Sequence, residues 1–250
     1  MESTQRELPW YKKWFDENYL LLYRHRNIED AREQVRLIMS TLKLSRDSII
    51  LDLGCGEGRY SFFFRESGCR VLGLDLSEIF IRSGKEKYPR LNLIVADMGN
   101  IPVLPGRFDL VLSLFTSFGY FEEDEENERI IDEVYRSLKP GGFFWLDFLN
   151  SRYTENNLLP ENTSQISPSV RVLEKRKVIN GRVIKDIFFL DSRQHETRTY
   201  RESVRLFSRS ELETMMQKVG FTITGCFGNY RGETWTGDSE RSIIIGRKAL

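Results

Sequence analysis

Three aspartates in this chain lie where carboxylates commonly bind ligands, because each stands at the end of a short apolar run typical of a buried strand. Asp52 lies near the end of the run Ile49–Leu53 and precedes glycines at positions 54, 56 and 58. Asp75 ends a second run, and Asp97 follows a third. In open α/β sheets, a carboxylate about 20 residues past a glycine-rich loop binds ribose hydroxyls. The order and spacing therefore predict a nucleotide-binding site.

Each aspartate also has a simpler interpretation, as a cap of the turn or helix that follows it, since Asp is favoured there. Three such residues in this order behind one glycine-rich loop favour a common site over three separate caps. The loop departs from the dinucleotide fingerprint G-x-G-x-x-G, because Arg59 occupies the position of the third glycine. The spacing therefore argues against a nicotinamide cofactor.

The segment Asp52–Gly58, DLGCGEG, resembles the first motif of the class I S-adenosylmethionine-dependent methyltransferases. The LKPGG turn at positions 138–142 is also similar to that family. The resemblance implies that Asp52 and Gly54 face the ammonium group of S-adenosylmethionine, that Asp75 binds its ribose and that Asp97 accepts a hydrogen bond from its adenine. The cofactor-binding residues expected from the motifs are Asp52, Gly54, Cys55, Gly56, Asp75, Leu76, Asp97, Met98, Leu114 and Tyr19.

The alternation of strand and helix patterns, together with this resemblance, predicts an α/β fold. We expect a Rossmann-like, seven-stranded, mostly parallel sheet whose last strand is antiparallel. The predicted divisions are an N-terminal helical cap or lid at 1–44, a cofactor-binding core at 45–150 and 208–250, and an inserted antiparallel β segment, interpreted as a lid, at 151–207.

The inserted segment carries a hairpin signal, because Asn180-Gly181 supplies the two positive φ angles of a type I′ turn between two apolar runs. A third strand is expected at Thr197–Leu206. Three roles remain open for these strands: covering the substrate, forming a dimer contact, or protecting a sheet edge. The charged run Glu174–Lys177 is interpreted as a solvated strand face.

The acceptor side of the site is expected after the fourth strand, at Ser113–Phe121. This stretch lacks the Asn/Asp-Pro-Pro-Tyr-like motif of nucleic-acid amino-methyltransferases and has no Pro-Cys pair. Phe118 and Tyr120 are candidates to line the site, with simple packing as the alternative. His25 and His195 are the two histidines available as a base, Tyr120 is a comparable candidate, and the sequence leaves the catalytic residue unassigned.

An aromatic cluster precedes the core, and its members are Trp10, Tyr11, Trp14, Phe15, Tyr19 and Tyr23. Tyrosines combine an apolar ring with a hydroxyl, which suits a lid that closes over a cofactor and excludes water. The alternative is a staple that fixes the N-terminal helices to the rest of the protein. The pattern does not distinguish the two.

The balance of charged residues limits the kinds of partner that the protein attracts. Lys and Arg together number 37, as do Asp and Glu, so no net field attracts nucleic acid or an anionic membrane. Three scattered cysteines predict neither disulfides nor a zinc site. The first residues lack a signal-peptide pattern, which predicts a cytoplasmic protein. A monomer and a homodimer both remain open.

Together these features predict an enzyme that transfers a methyl group from S-adenosylmethionine to N, O or C of a small-molecule acceptor and releases S-adenosylhomocysteine. No metal is expected. Two alternatives remain: a protein or RNA methyltransferase, and a regulatory module that binds the cofactor without turning it over.

Overall fold

A computed structural model describes residues 8–24 and 28–250 of the 250-residue chain. The N-terminal part forms three helices, α1 (Trp10–Trp14), α2 (Glu17–Leu22) and α3 (Ile28–Leu42). Asp16 caps α2, because its carboxylate accepts hydrogen bonds from the backbone amides of Asn18 and Tyr19. The next helices are α4 (Arg59–Glu66), α5 (Glu78–Lys87), α6 (Asp124–Ser137), α7 (Ser151–Asn157) and α8 (Arg209–Val219).

The strands are, in chain order, β1 (Ile49–Leu53), β2 (Arg70–Asp75), β3 (Asn92–Val95), β4 (Phe108–Ser113), β5 (Leu138–Leu149), β6 (Glu161–Ser167), β7 (Val170–Ile179), β8 (Arg182–Leu190), β9 (Glu196–Arg205), β10 (Phe221–Phe227) and β11 (Arg241–Lys248). Seven of them form one sheet in the order β10-β11-β5-β4-β1-β2-β3. Strands β1 to β5 pair in parallel, and β11 pairs antiparallel with both β5 and β10. The predicted fold class is confirmed.

Helices cover both faces of this sheet, which explains why its strands are continuous apolar runs. On one face Leu51 and Leu53 of β1 pack with side chains of α6 and α8. On the other face Ile50 packs with side chains of α3 and α4. Because β1 lies between β4 and β2 in the sheet, the loop after it opens where the carboxyl ends of these three strands meet.

A second sheet contains the four antiparallel strands β6-β7-β8-β9. The turn between β7 and β8 has φ angles of +50° at Asn180 and +67° at Gly181, as the Asn-Gly signal predicts. The sequence did not predict β6 or the short helix α7. Strand β6 reads ENTSQIS and has only one buried residue, Ile166, so it carries no strong apolar pattern.

Two other predictions differ from the structure in detail. Strand β5 begins at Leu138, so the LKPGG segment at 138–142 belongs to the strand and Gly141, with φ +76°, provides an irregularity within it. The run Glu174–Lys177 is not wholly solvated, because Glu174 is 5% exposed. Its carboxylate lies 2.7 Å from Arg176 and 3.6 Å from Lys185. In the described ranges, no helix is both long and apolar enough to cross a membrane.

Candidate active site

The backbone of the glycine-rich loop after β1 adopts a conformation that residues other than glycine rarely adopt. Gly54, Gly56 and Gly58 have φ angles of +66°, +58° and +84°. The amides of Gly54 and Cys55 both donate to the carbonyl of Leu74, at 2.8 and 3.0 Å, so the loop is tied to the neighbouring strand β2. Helix α4 then begins at Arg59, directly after this loop.

Asp75, at the end of β2, holds the same loop from the other side. Its Oδ2 accepts a 2.9 Å hydrogen bond from the amide of Gly56, and its Oδ1 accepts one of 2.9 Å from the amide of Ser77, which is the N-cap of α5. Asp75 therefore orders a helix start and also lines the cavity described below. Each carboxylate oxygen has a second lone pair available for a ligand.

Asp52 is 2% exposed and accepts a 2.7 Å hydrogen bond from the hydroxyl of Ser61. Burial raises the pKa of Asp52 to about 6, and the nearby charge of Asp75 adds to that effect. Burial also raises the pKa of Asp75. The hydrogen bonds that these two carboxylates accept come from a hydroxyl and from backbone amides, which are neutral donors. A positively charged ligand would stabilise their ionised forms.

Asp97 and Met98 lie after β3, at the same edge of the sheet. Oδ1 of Asp97 accepts a 2.8 Å hydrogen bond from the amide of Gly99, which fixes the turn that follows. Asp97 is exposed, in contrast to the other two aspartates. Here too the capping interpretation and a ligand-binding role are compatible, because one oxygen remains outside that turn.

These elements surround a cavity of about 610 Å³. All ten residues expected to bind the cofactor line it: Asp52, Gly54, Cys55, Gly56, Asp75, Leu76, Asp97, Met98, Leu114 and Tyr19. Phe118 and Tyr120, the candidates for the acceptor side, line it as well. The structure thus brings the motifs of four separate strands into one space.

Several lining residues were not named individually by the sequence. Phe80 of α5 is one of them, and Ser117 is another, although it lies within the expected acceptor stretch Ser113–Phe121. Ser117 matters because its Cβ and Oγ would lie 2.8 Å from a β-carbon at Gly54. Arg59 and Phe115 also line the cavity, with the guanidinium 5.5 Å from the ring centroid. No local sequence signal marks these contacts, since they form between loops that are distant in the chain.

The N-terminal aromatic residues divide between two surroundings. Tyr11, Phe15, Tyr19 and Tyr23 line the cavity, and the ring of Tyr19 lies 5.3 Å from that of Phe80. Trp14, in contrast, is fully buried among side chains of the second sheet. The lid and the staple are therefore not exclusive alternatives, because different residues of the same two helices face each way.

Among the described residues that line the cavity, none belongs to the second sheet. That sheet contacts the N-terminal helices instead: the hydroxyl of Tyr200 donates to Asp16 at 2.7 Å, and Lys185 donates to the hydroxyl of Tyr23 at 2.6 Å. His195 lies at an exposed turn of this sheet and pairs with Asp191. His25 lies outside the described residues.

Comparison with known proteins agrees with this geometry. A family model described as a methyltransferase domain matches residues 50–142, which contain the glycine-rich loop and strands β2 to β4. This match identifies a methyltransferase domain at residues 50–142. A malonyl-[acyl-carrier protein] O-methyltransferase of Enterobacter lignolyticus is 32% identical over 114 residues. That match spans 46% of this methyltransferase but only 44% of the relative, so it concerns less than half of each protein.

Longer matches extend across the inserted segment. The cypemycin N-terminal methyltransferase of a Streptomyces species is 25% identical over 205 residues, which are 78% of this methyltransferase and 81% of that protein. In fold, this methyltransferase is similar to the CcbJ methyltransferase from Streptomyces caelestis, with a TM-score of 0.80 and 18% identity over 97% of this chain and 99% of the other.

The residues present in this methyltransferase fit S-adenosylmethionine. The cofactor carries cationic ammonium and sulfonium groups, and the cavity offers the buried carboxylates of Asp52 and Asp75. A β-carbon at Gly56 would meet no atom within 4 Å, so the backbone there is open to a ligand. The site also contains aromatic faces at Phe80 and Tyr19, against which a flat or cationic group can pack.

Proposed function

We propose that this methyltransferase methylates an amino nitrogen of a small molecule. The observation that supports nitrogen is the extent of the matches: the relative aligned over 81% of its length is named as an N-terminal methyltransferase. The O-methyltransferase relative aligns over only 44% of its length. Acceptor specificity depends on the parts outside the common cofactor motif, so the longer match carries more information about the acceptor.

The charges beside the cavity are consistent with a basic acceptor. Burial raises the pKa of Tyr11, and the charges of Asp97, Glu126 and Glu122 raise it further, which places carboxylates around this lining residue. The basic side chains at the rim are partly occupied: Arg24 donates to the carbonyl of Ile166 at 2.7 Å, and Lys87 lies 3.5 Å from Glu57. An amine is better matched to this rim than a carboxylate substrate.

We also propose the residue roles in cofactor binding. When bound, S-adenosylmethionine supplies an already activated methyl group. Asp52 balances positive charge, Asp75 accepts hydrogen bonds from ribose hydroxyls, and Asp97 accepts one from adenine. Tyr19 and Tyr120 help to exclude water, and the remaining expected residues, Gly54, Cys55, Gly56, Leu76, Met98 and Leu114, shape the wall. The catalytic base stays unassigned.

The proposed division of the chain follows from these roles. Residues 1–44 form a cap, residues 45–150 and 208–250 bind the cofactor, and residues 151–207 support the cap. The cytoplasmic location stays a prediction. A monomer and a homodimer both stay open.

The first test is calorimetric titration with S-adenosylmethionine, S-adenosylhomocysteine and NAD. We expect binding of the two sulfur nucleotides and none of NAD. The Asp75→Asn variant should lose about 1–3 kcal/mol of that affinity, since hydrogen-bond partners are left unmade. Ser77→Ala is the matched control, because it removes the N-cap hydroxyl of α5 and keeps the carboxylate; unchanged affinity in Asp75→Asn would contradict the ribose assignment.

The second test uses pairs of acceptors that differ only in carrying an amine or a hydroxyl at one carbon, with release of S-adenosylhomocysteine as the readout. Turnover with the amines alone supports nitrogen methylation. Turnover with the hydroxyl compounds alone would contradict it. Cofactor binding with no turnover on any pair would favour a regulatory module.

A further inference from the structure

The turn after β4 has an unusual backbone. Phe115 and Thr116 are consecutive residues with φ angles of +54° and +64°, in the left-handed region that non-glycine residues rarely adopt. For a β-branched residue such as Thr116, this conformation is a clear outlier. A strained residue of this kind persists only when surrounding contacts enforce its conformation.

Asp147, near the end of β5, supplies those contacts. Its Oδ2 accepts a 2.8 Å hydrogen bond from the amide of Phe115, and its backbone carbonyl accepts one of 3.2 Å from the amide of Thr116. The side chain is completely buried. One residue thus binds the two consecutive amides of the strained turn.

A buried carboxylate requires compensation, and Asp147 has it from two directions. Nε of Arg241 donates to Oδ1 at 2.7 Å, and the hydroxyl of Tyr230 donates to Oδ2 at 2.9 Å. Arg241 also donates to Oγ1 of Thr116 at 2.9 Å. Burial and the charge of Asp147 raise the pKa of Tyr230 well above its ordinary value, so its hydroxyl stays protonated and remains a donor.

The turn held by this network forms part of the cavity wall. Leu114, Phe115 and Ser117 line the cavity, and Ser117 would touch any β-carbon placed at Gly54. Phe115 also stacks on Tyr230, with ring centroids 6.0 Å apart. Asp147, Arg241 and Tyr230 themselves do not line the cavity in the described part of the chain. These three residues therefore support the turn from outside the cavity.

We propose that Asp147 and Arg241 are positioning residues that fix the Leu114–Ser117 turn against the glycine-rich loop and thereby set the affinity of the site for the cofactor. The pair stabilises a turn conformation that the sequence of the turn does not favour. This inference rests on the proposed cofactor site, and its test separates the two.

Hydrogen exchange and calorimetry on Asp147→Asn test the inference. Asparagine keeps the size of the side chain but removes the charge that pairs with Arg241. We expect exchange at the amides of residues 115–117 to accelerate at least tenfold and the Kd for S-adenosylhomocysteine to rise at least tenfold. Arg241→Lys should restore part of the affinity that Arg241→Met loses, since lysine keeps the positive charge.

Asp109→Asn is the matched control. Asp109 accepts a 2.8 Å hydrogen bond from the amide of Ile49 and pairs with Lys139 at 2.7 Å, at the start of β4 rather than its end. This variant should lower the melting temperature but change the Kd less than twofold. If Asp147→Asn does not fold, Tyr230→Phe and Arg241→Lys give the same comparison.

The outcomes separate cleanly. If the wild-type protein fails to bind S-adenosylhomocysteine, the proposed function fails, and exchange at 115–117 still tests the turn. If the wild-type protein binds and the Asp147→Asn variant binds equally well with the turn amides still protected, the positioning role is overturned. A loss of melting temperature alone, equal to that of Asp109→Asn, would also overturn it.

Discussion

The indole Nε1 of Trp14 donates a 2.6 Å hydrogen bond to Oε1 of Glu202, which joins the first helix to the last strand of the inserted sheet. The other carboxylate oxygen of Glu202 lies 2.7 Å from Nζ of Lys185, so Glu202 accepts a hydrogen bond from the indole and also forms an ion pair. The inserted sheet therefore supports the N-terminal helices, and it is these helices whose tyrosines reach the cavity.

This arrangement predicts different effects for two aromatic residues of the N-terminal helices. Trp14→Phe should lower the free energy of unfolding by about 1–3 kcal/mol, because it removes a hydrogen bond to a charged group, while the Kd for S-adenosylhomocysteine stays within threefold. Tyr19→Leu should raise that Kd about tenfold, because leucine lacks the aromatic face toward the cavity. Thermal unfolding and calorimetry measure the two quantities. Equal loss of affinity in both variants would mean that Trp14 also acts on the site.

The glycines of the loop offer a second matched pair. Gly54→Ala and Gly56→Ala both place alanine at a positive φ, at a cost of about 1–2 kcal/mol each. Only Gly54→Ala also forces a 2.8 Å contact with Ser117. We expect Gly54→Ala to lose more thermal stability and Ser117→Gly to restore part of it. Gly56→Ala should lose only the stability that its positive φ costs, because its methyl group meets no other atom, but it should lose at least tenfold in affinity, since that methyl group would extend into open space at the cavity wall.

The raised pKa of Asp52 predicts that the free energy of unfolding depends on pH. Burial raises its pKa to about 6 from an ordinary 3.8, so between these values the folded protein binds more protons than the unfolded chain, and stability falls as pH rises. Asp52→Asn removes this loss. Relative to wild type, the variant should gain about 2–3 kcal/mol between pH 4 and pH 6.5 without ligand. Denaturant titrations across this range measure it; a constant difference between the two proteins would contradict the shifted pKa.

A stability prediction independent of the site comes from the end of α3. Lys43 follows the helix with φ +52°, and the amide of Leu44 donates to the carbonyl of Met39 at 3.1 Å, a pattern in which glycine is preferred. Lys43→Gly should therefore stabilise the protein by about 0.5–1 kcal/mol. Gly220→Ala, at the corresponding position after α8 with φ +112°, should destabilise it. Thermal unfolding of the two variants checks the opposite signs.

The sequence alone determined the features that depend on local order along the chain. The DLGCGEG segment specifies a strand, a glycine loop and a helix start within a dozen residues, and parallel strands necessarily bring Asp52, Asp75 and Asp97 to one edge. The Asn180-Gly181 turn is equally local, because its φ angles depend on those two residues. Nine of the ten expected cofactor residues follow or end these strands and line one cavity for that reason, whereas the tenth, Tyr19, reaches the cavity from α2.

The tertiary structure decided what depends on contacts between distant segments. Strand β6 exists because it pairs with β7, although its own residues are mostly polar. Trp14 is buried against the second sheet, whereas Tyr19, whose ring lies 5.4 Å from that of Trp14, also lines the cavity; an aromatic cluster does not specify this difference until the helices have a surface to pack on. The burial of Asp147 and its pairing with Arg241 join positions 94 residues apart. Sequence patterns report the periodicity of single elements, whereas such contacts are fixed only when the elements pack together.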